Sequence, residues 1–337
     1  MKINDQKHFG SDFITFDNEN GFVVTLSSIG AGIVDITYLN TKVISRPKDY
    51  QIYLGNNGGY YGKTIGPIAG RVKNGIILVG GKENKLDLNE GNNSLHSGSI
   101  CFAFAPFLYQ IKEEKDCFII VFSYLFKGKK EKFEADIDIK ITYKIFKDKP
   151  ILEYYYELVP NLDCPVNITN HSYFNLNGKG NILSHFLELK SSKVVIYDEE
   201  LIPKQIEDVD KVFDFRNKKK IGEDILNKEL GEKRLNQGYD HCFILDENDY
   251  AIPKAILEGE KIGLKLFTTS SALQIYTSAF PHFNLLLNND EFETKYSSLT
   301  LEEVNVSLSL SSMITRKNDK FIRKHKYEFY RKEEWIC

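Results

Sequence analysis

The sequence predicts an all-β protein, a large antiparallel β-sandwich with few short helices. Three observations carry that expectation. Apolar and polar residues alternate at a period of two along much of the chain. Asn- and Gly-rich turn signals separate the alternating runs, among them Asn56-Asn57-Gly58-Gly59, Asn92-Asn93-Ser94 and Asn177-Gly178. No strand–helix–strand rhythm appears, so a parallel sheet with crossover helices is not expected.

The runs can be taken in chain order. GFVVTLSS around Val24 and CFIIVFSYLF around Ile120 read as strands. In KFEADIDIKITYKIF, the residues Phe133, Ala135, Ile137, Ile139, Ile141, Tyr143 and Ile145 share one face. Glu134, Asp136, Asp138, Lys140, Thr142 and Lys144 take the other, which gives a long half-buried strand with one wet face. The turn Lys147-Asp148-Lys149-Pro150 follows, then ILEYYYELV, so this pair reads as an antiparallel hairpin. Further strands are expected in KVVIYD around Val195, HCFILD around Phe243, GLKLFTTS around Leu266 and ALQIYTSAF around Ile275. The best helix candidate is IGEDILNKEL at 221–230, where Ile221, Ile225 and Leu226 share a face. The lysine run 218–220 beside it reads as a solvated loop.

A chain of 337 residues with 42% hydrophobic content can bury a sizeable core, and 27% charged residues is not a disordered composition. No Pro/Ser/Gly-rich linker or short repeat divides it, so one domain spanning 1–337 is expected. A net charge of −3 gives no electrostatic case for a nucleic-acid or anionic-membrane partner. No apolar stretch approaches the length of a membrane span. The N-terminal MKINDQKHFGSDFITFDNENG has no apolar signal core, which makes a cytoplasmic location the expectation. Cys101, Cys117, Cys164, Cys242 and Cys337 form no CxxC pair and read as buried free thiols. His8, His96, His171, His185, His241, His282 and His325 show no metal-ligand spacing, so no metal is expected. Nucleotide-loop, zinc-protease and nucleophile-elbow motifs are also missing.

What remains is a set of polar residues in unusual places. His171 lies in TNHSYFN, His96 in NSLHSG, Asp240 and His241 in QGYDHCF, and Glu302 and Glu303 interrupt LTLEEVNV. A histidine beside a strand is most often hydrogen-bonded scaffold, an Asp before a strand most often a cap, and a Glu in an edge strand most often solvated. Strand parity puts Glu302 and Glu303 on opposite faces without saying which one meets a pocket.

These segments, in this order, resemble the aldose 1-epimerases, also called galactose mutarotases. TNHSYFNL at 169–176 is similar to that family's most distinctive motif. GPIAGRVKNG at 66–75, NSLHSG at 93–98, FDFR at 213–216, GYDH at 238–241, LQIYTS at 273–278 and LTLE at 299–302 resemble others. The resemblance runs from about residue 20 to about residue 305. It implies a galactose mutarotase-like supersandwich with an open groove for a small free sugar, and no cofactor, since nothing is oxidised and no group leaves. It implies Glu302 as catalytic base and His171 as catalytic acid. It places substrate binding on Arg71, His96 and Asp240, and further on Gln274 and Asn74. Monomer and homodimer both stay open. The chain departs from the family at Ser97, which stands where a glycine is usual. It departs at Gly75, where a second arginine is lost, and in EVNVSLSLSS after Glu302. The single Trp335 lies outside every motif, so sugar stacking falls to Tyr or Phe. The implied function is interconversion of the α and β anomers of a free hexose of the galactose or glucose type. The alternatives are a hexose-6-phosphate epimerase and a non-catalytic carbohydrate-binding or sensor protein on the same fold.

Overall fold

The computed structural model describes residues 2–55, 59–128, 133–230, 237–305, 308 and 310–333. Each alternating run buries one face, so the strands assemble into stacked sheets around a common apolar core. The largest sheet has nine strands. Its order is Leu108–Glu113, Cys117–Phe126, Ile137–Phe146, Ile151–Pro160, Phe321–Arg331, Ile262–Thr268, Ala255–Glu258, Phe186–Leu189 and Lys219–Lys220. Every named strand pair is antiparallel, as expected.

The predicted hairpin forms the middle of that sheet, with Ile141 opposite Tyr156 and Tyr143 opposite Tyr154. Ile137, Ile139, Ile141, Tyr143 and Ile145 are buried, and so are Leu152, Tyr154, Tyr156 and Leu158 on the partner strand. A seven-stranded sheet packs over this face. Its order is Pro203–Asp208, Lys193–Tyr197, Asp240–Ile244, Ala272–Tyr276, Leu299–Val304, Tyr173–Phe174 and Ile44–Ser45. Phe174 of this sheet meets Tyr327 of the larger one with ring centroids 5.3 Å apart. A five-stranded sheet built from residues 2–42 covers the remainder, through Phe16 on Phe118 and Phe22 on Phe329.

The structure corrects three expectations. Phe133 and Ala135 are buried as predicted, but the strand begins only at Ile137. The preceding segment doubles back on Gly128, whose carbonyl accepts the Phe133 amide, so it cannot join the ladder. Residues 221–230 form no α-helix, only a single 3-10 turn at Lys228–Leu230. The amides of Ile221 and Gly222 bond instead to the carbonyls of His185 and Leu183. Ile221, Ile225 and Leu230 are buried while Leu226 is exposed. The lysine run is no loop either, since Lys219–Lys220 pairs with Phe186 and Leu187 at the sheet edge. The Lys219 amine sits over the Phe215 ring and 3.1 Å from Asp224.

Cys101, Cys117, Cys164 and Cys242 are free and buried. Cys337 and Trp335 lie outside the described residues. Among the described residues no helix is long and apolar enough to cross a membrane.

Candidate active site

Leu299–Val304 is an interior strand, flanked by Ala272–Tyr276 and Tyr173–Phe174. Both of its glutamates are therefore buried, against the expectation for an edge strand. Parity separates their surroundings. Glu303 points into the core between the sheets. Its two carboxylate oxygens each lie 3.0 Å from the Tyr154 hydroxyl, which is 2.8 Å from the Tyr327 hydroxyl. Glu302 points the other way, into an open cavity of about 920 Å³. The Thr300 hydroxyl donates to Glu302 Oε1 at 3.0 Å.

His171 lies between the short strands Thr169–Asn170 and Tyr173–Phe174. Its amide donates to the Lys63 carbonyl and its own carbonyl accepts the Gly62 amide, so the backbone is pinned on both sides. The ring packs near Tyr173, His96 and Tyr60 with centroids 5.1, 5.4 and 6.1 Å away. His171 Nε2 stands 3.4 Å from Glu302 Oε1, although the two residues are 131 positions apart in the chain. Within this structure His171 Nδ1 is buried without a hydrogen-bond partner.

Burial sets the proton affinities of the pair. Desolvation pushes the Glu302 carboxyl up to about 8, with the Asp240 and Glu303 charges adding and the Thr300 hydrogen bond and Arg71 opposing. Desolvation pushes the His171 imidazole down to about 4. Near neutral pH the pair therefore holds one proton between its two members.

The remaining candidates gather on two sides of this pair. Arg71–Val72 pairs with Ser94–Leu95, which places Arg71 beside His96. The Arg71 guanidinium donates to both oxygens of Glu90, at 2.5 and 2.9 Å, and reaches within 3.8 Å of Asp240. Asp240 Oδ1 accepts from the Gln274 amide at 2.6 Å, and Gln274 Oε1 accepts from the Tyr197 hydroxyl at 3.0 Å. Gln274 is the direct cross-strand neighbour of Glu302, which is why a glutamine at that register borders the pair. His96 Nδ1 accepts the Gly70 amide at 3.2 Å, which fixes its tautomer with the other nitrogen as donor. Burial, with His171 and Arg71 near it, holds His96 well below its ordinary range.

Ser97 explains one departure of the sequence. It adopts φ +66°, in the left-handed region where glycine is usual. Its hydroxyl oxygen accepts the Ile68 amide at 2.9 Å and lies 3.0 Å from the Ile68 carbonyl. The serine thus ties the His96 loop to the loop that carries Arg71.

Of the sequence-derived candidates, Glu302, His171, Arg71, His96, Asp240 and Gln274 all line the one cavity. Asn74 does not. It is an exposed turn residue at φ +54°, its amide held by Asn93, and the structure places it outside the pocket. FDFR also stays away from the pair, with Arg216 closing on Asp214 at the surface while Phe213 packs on His241. Sequence reasoning missed Glu90, Tyr197 and Glu293, which line the cavity too. Tyr197 had a signal, because parity in KVVIYD puts it on the face of Val195, another cavity residue. Glu90 and Glu293 lie outside the named strands, where no periodicity marks a direction. His96, His171 and Glu302 present one ligand atom each within 4.8 Å of one another, a geometry that could accept a metal ion.

A large antiparallel sandwich with a buried carboxyl–imidazole pair in an open, aromatic-lined groove is the class that fold and site define. The family model for aldose 1-epimerase matches residues 12–317, and the chain belongs to that family. It is 28% identical to an aldose 1-epimerase of Haemophilus influenzae, over 86% of this chain and 85% of that protein. It is 31% identical to a galactose mutarotase of Sus scrofa, over 73% of this chain and 70% of that protein. The fold matches the crystal structure of galactose 1-epimerase from Lactobacillus acidophilus with a TM-score of 0.87 at 24% identity, covering 98% and 99% of the two chains.

Proposed function

We propose that the protein is an aldose 1-epimerase that interconverts the α and β anomers of a free hexose of the galactose or glucose type, with Glu302 and His171 as the proton-transfer pair. The observation that carries this reading is the 3.4 Å approach of His171 Nε2 to Glu302 Oε1 inside the cavity.

The two oxygens that exchange protons in a cyclic hemiacetal, the C1 hydroxyl and the ring oxygen, are bonded to the same carbon. One group must take the hydroxyl proton while another feeds the ring oxygen, so the two groups must stand close together and both face the sugar. A pair that holds one proton suits this chemistry. Sugar hydroxyls that donate to Glu302 favour its charged form, and the proton then passes to His171. Glu302 accepts the C1 hydroxyl proton, His171 protonates the ring oxygen, and the ring opens to the aldehyde. Rotation about C1–C2 presents the other carbonyl face, and the same two groups run backwards to close the ring. Each contributes roughly 10²–10⁴-fold in rate when positioned this way. Arg71, His96, Asp240 and Gln274 hold sugar hydroxyls, and the aromatic walls Tyr60, Tyr173 and Tyr276 face the apolar side of the ring.

Polarimetry of freshly dissolved α-galactose and α-glucose tests the reading. The wild type should accelerate relaxation to the anomeric equilibrium. Glu302→Gln and His171→Asn should each lower the rate roughly 10²-fold or more. Wild-type rates in either variant would remove the assignment.

A further inference from the structure

Glu303 has no part in the proton-transfer scheme, yet it lies fully buried next to Glu302 in the chain. An aliphatic side chain would fill that space without the desolvation cost of a carboxyl. What the carboxyl adds is direction, because a hydrogen bond fixes distance and angle where apolar contact does not.

The bonds of Glu303 cross from one sheet to the other. The Tyr154 hydroxyl lies 3.0 Å from each of its oxygens and 2.8 Å from the Tyr327 hydroxyl. His325 stacks on Tyr154 with centroids 4.8 Å apart, and its Nδ1 is 3.8 Å from Glu303 Oε1 and 3.0 Å from the Thr268 hydroxyl. Thr268 is itself held by the Ser270 amide at 2.9 Å. Three strands of the nine-stranded sheet, Ile151–Pro160, Phe321–Arg331 and Ile262–Thr268, thus converge behind one side chain of the seven-stranded sheet.

This tie falls where the Leu299–Val304 strand is held unevenly. Towards Ala272–Tyr276 the ladder runs from Thr300 to Val304. Towards Tyr173–Phe174, the side from which His171 comes, it covers only Leu299 and Thr300. Glu302 and Glu303 lie past the end of that second ladder. A ladder sets register along a strand, not how deeply the strand stands between core and cavity. At 302–303 that depth is set by the bonds Glu303 makes into the core, while Glu302 faces His171 from the opposite side. Beyond Val304 the chain is held again at Asn305, whose amide donates to Asn167 Oδ1 at 2.9 Å.

We propose that Glu303 is a positioning residue: its hydrogen bonds to the opposite sheet hold the strand at the depth that sets Glu302 Oε1 against His171 Nε2. The proposal rests on the function given above and adds a residue to it.

The test compares the wild type with Glu303→Gln, Glu303→Leu and the triple variant Glu303→Leu/Tyr154→Phe/Tyr327→Phe, each shown to be folded by circular dichroism. Glu303→Gln keeps a planar acceptor for Tyr154 and should hold kcat within about threefold of the wild type. Glu303→Leu removes the tie. A misplacement of about 1 Å can cost about 10²-fold, so a smaller one should lower kcat roughly 10-fold with KM within about twofold. The triple variant replaces the three hydrogen-bonded groups by apolar ones and strands no donor, so it should regain the stability that Glu303→Leu loses. Its kcat should nevertheless stay roughly 10-fold low. A purely structural role would return kcat together with stability. Should either leucine variant fail to fold, Tyr154→Phe tests the tie from its other end by the same split between kcat and KM. The NMR ring-proton signals of His171, which respond to the nearness of Glu302, should shift in the triple variant and stay in place in Glu303→Gln. Wild-type kcat or unshifted His171 signals in the triple variant would overturn the proposal. If the wild type catalysed no exchange of any sugar, the proposed function would fail instead, and the His171 signals would still decide the positioning role.

Discussion

Replacing Ser97 by alanine and by glycine separates two effects that oppose each other at one residue. In the wild type the left-handed backbone is unfavourable for a residue with a Cβ, by roughly 1 kcal/mol relative to glycine. Against this, the hydroxyl satisfies the amide and carbonyl of Ile68, which is itself buried. Alanine keeps the unfavourable backbone and loses both bonds. An unsatisfied buried donor costs about 1–3 kcal/mol, so Ser97→Ala should destabilise by about 2 kcal/mol. Glycine loses the same bonds but relieves the backbone, so Ser97→Gly should destabilise by only about 1 kcal/mol. The predicted order is serine, then glycine, then alanine, read from urea unfolding midpoints at constant slope. KM for the sugar should rise alongside, because the tie joins the His96 and Arg71 loops. An alanine variant as stable as the wild type would refute the reasoning, and so would alanine standing above glycine.

The rate should follow a bell-shaped pH profile, since the active pair carries one proton. Activity should fall below an apparent pKa near 4, as His171 gains a second proton, and above one near 8, as Glu302 loses the only one. Stability should also peak in the neutral range. His171, His185 and His241 have folded values pushed by burial to about 4 and His325 to about 3, so the unfolded state binds more protons above those values and stability rises towards pH 6.5. Glu302 and Glu303 are pushed up to about 8, so their contribution falls from the ordinary carboxyl range upward; the four histidines outweigh it up to about pH 6.5, and above that stability drops until about pH 8. Thermal unfolding across pH 4–9 checks both slopes. Tyr154→Phe should cost about 1–3 kcal/mol in urea unfolding, because it strips Glu303 of a partner in the dry core.

Much of the sandwich was legible because a half-buried strand writes its orientation into every second residue. The 137–160 hairpin shows this, with the predicted inward residues Ile137, Ile139, Ile141, Tyr143 and Ile145 all buried and Leu152, Tyr154, Tyr156 and Leu158 buried on the strand beside them. The strand Phe321–Arg331 carries the same signal in Phe321, His325, Tyr327 and Phe329, but Arg323 breaks the apolar face and Lys324 and Lys326 fill the other, which weakens the alternation. Helical periodicity at 221–230 misled because amide bonds to residues 183 and 185 outweigh a weak local preference. The site was legible only as motifs. Parity separated Glu302 from Glu303, but only the packing of two sheets shows that the Glu303 face is dry core and the Glu302 face a cavity. Glu90 and Glu293 were illegible because they lie outside the named strands, in irregular backbone whose direction tertiary contacts set.

The most direct measurement is polarimetric anomer exchange of α-galactose by the wild type beside Glu302→Gln and His171→Asn, all three first shown to be folded. Rapid relaxation with the wild type, and slowing by at least about 100-fold in each variant, is the result the account predicts. A folded variant lacking either side chain that still equilibrates the anomers at the wild-type rate would contradict it.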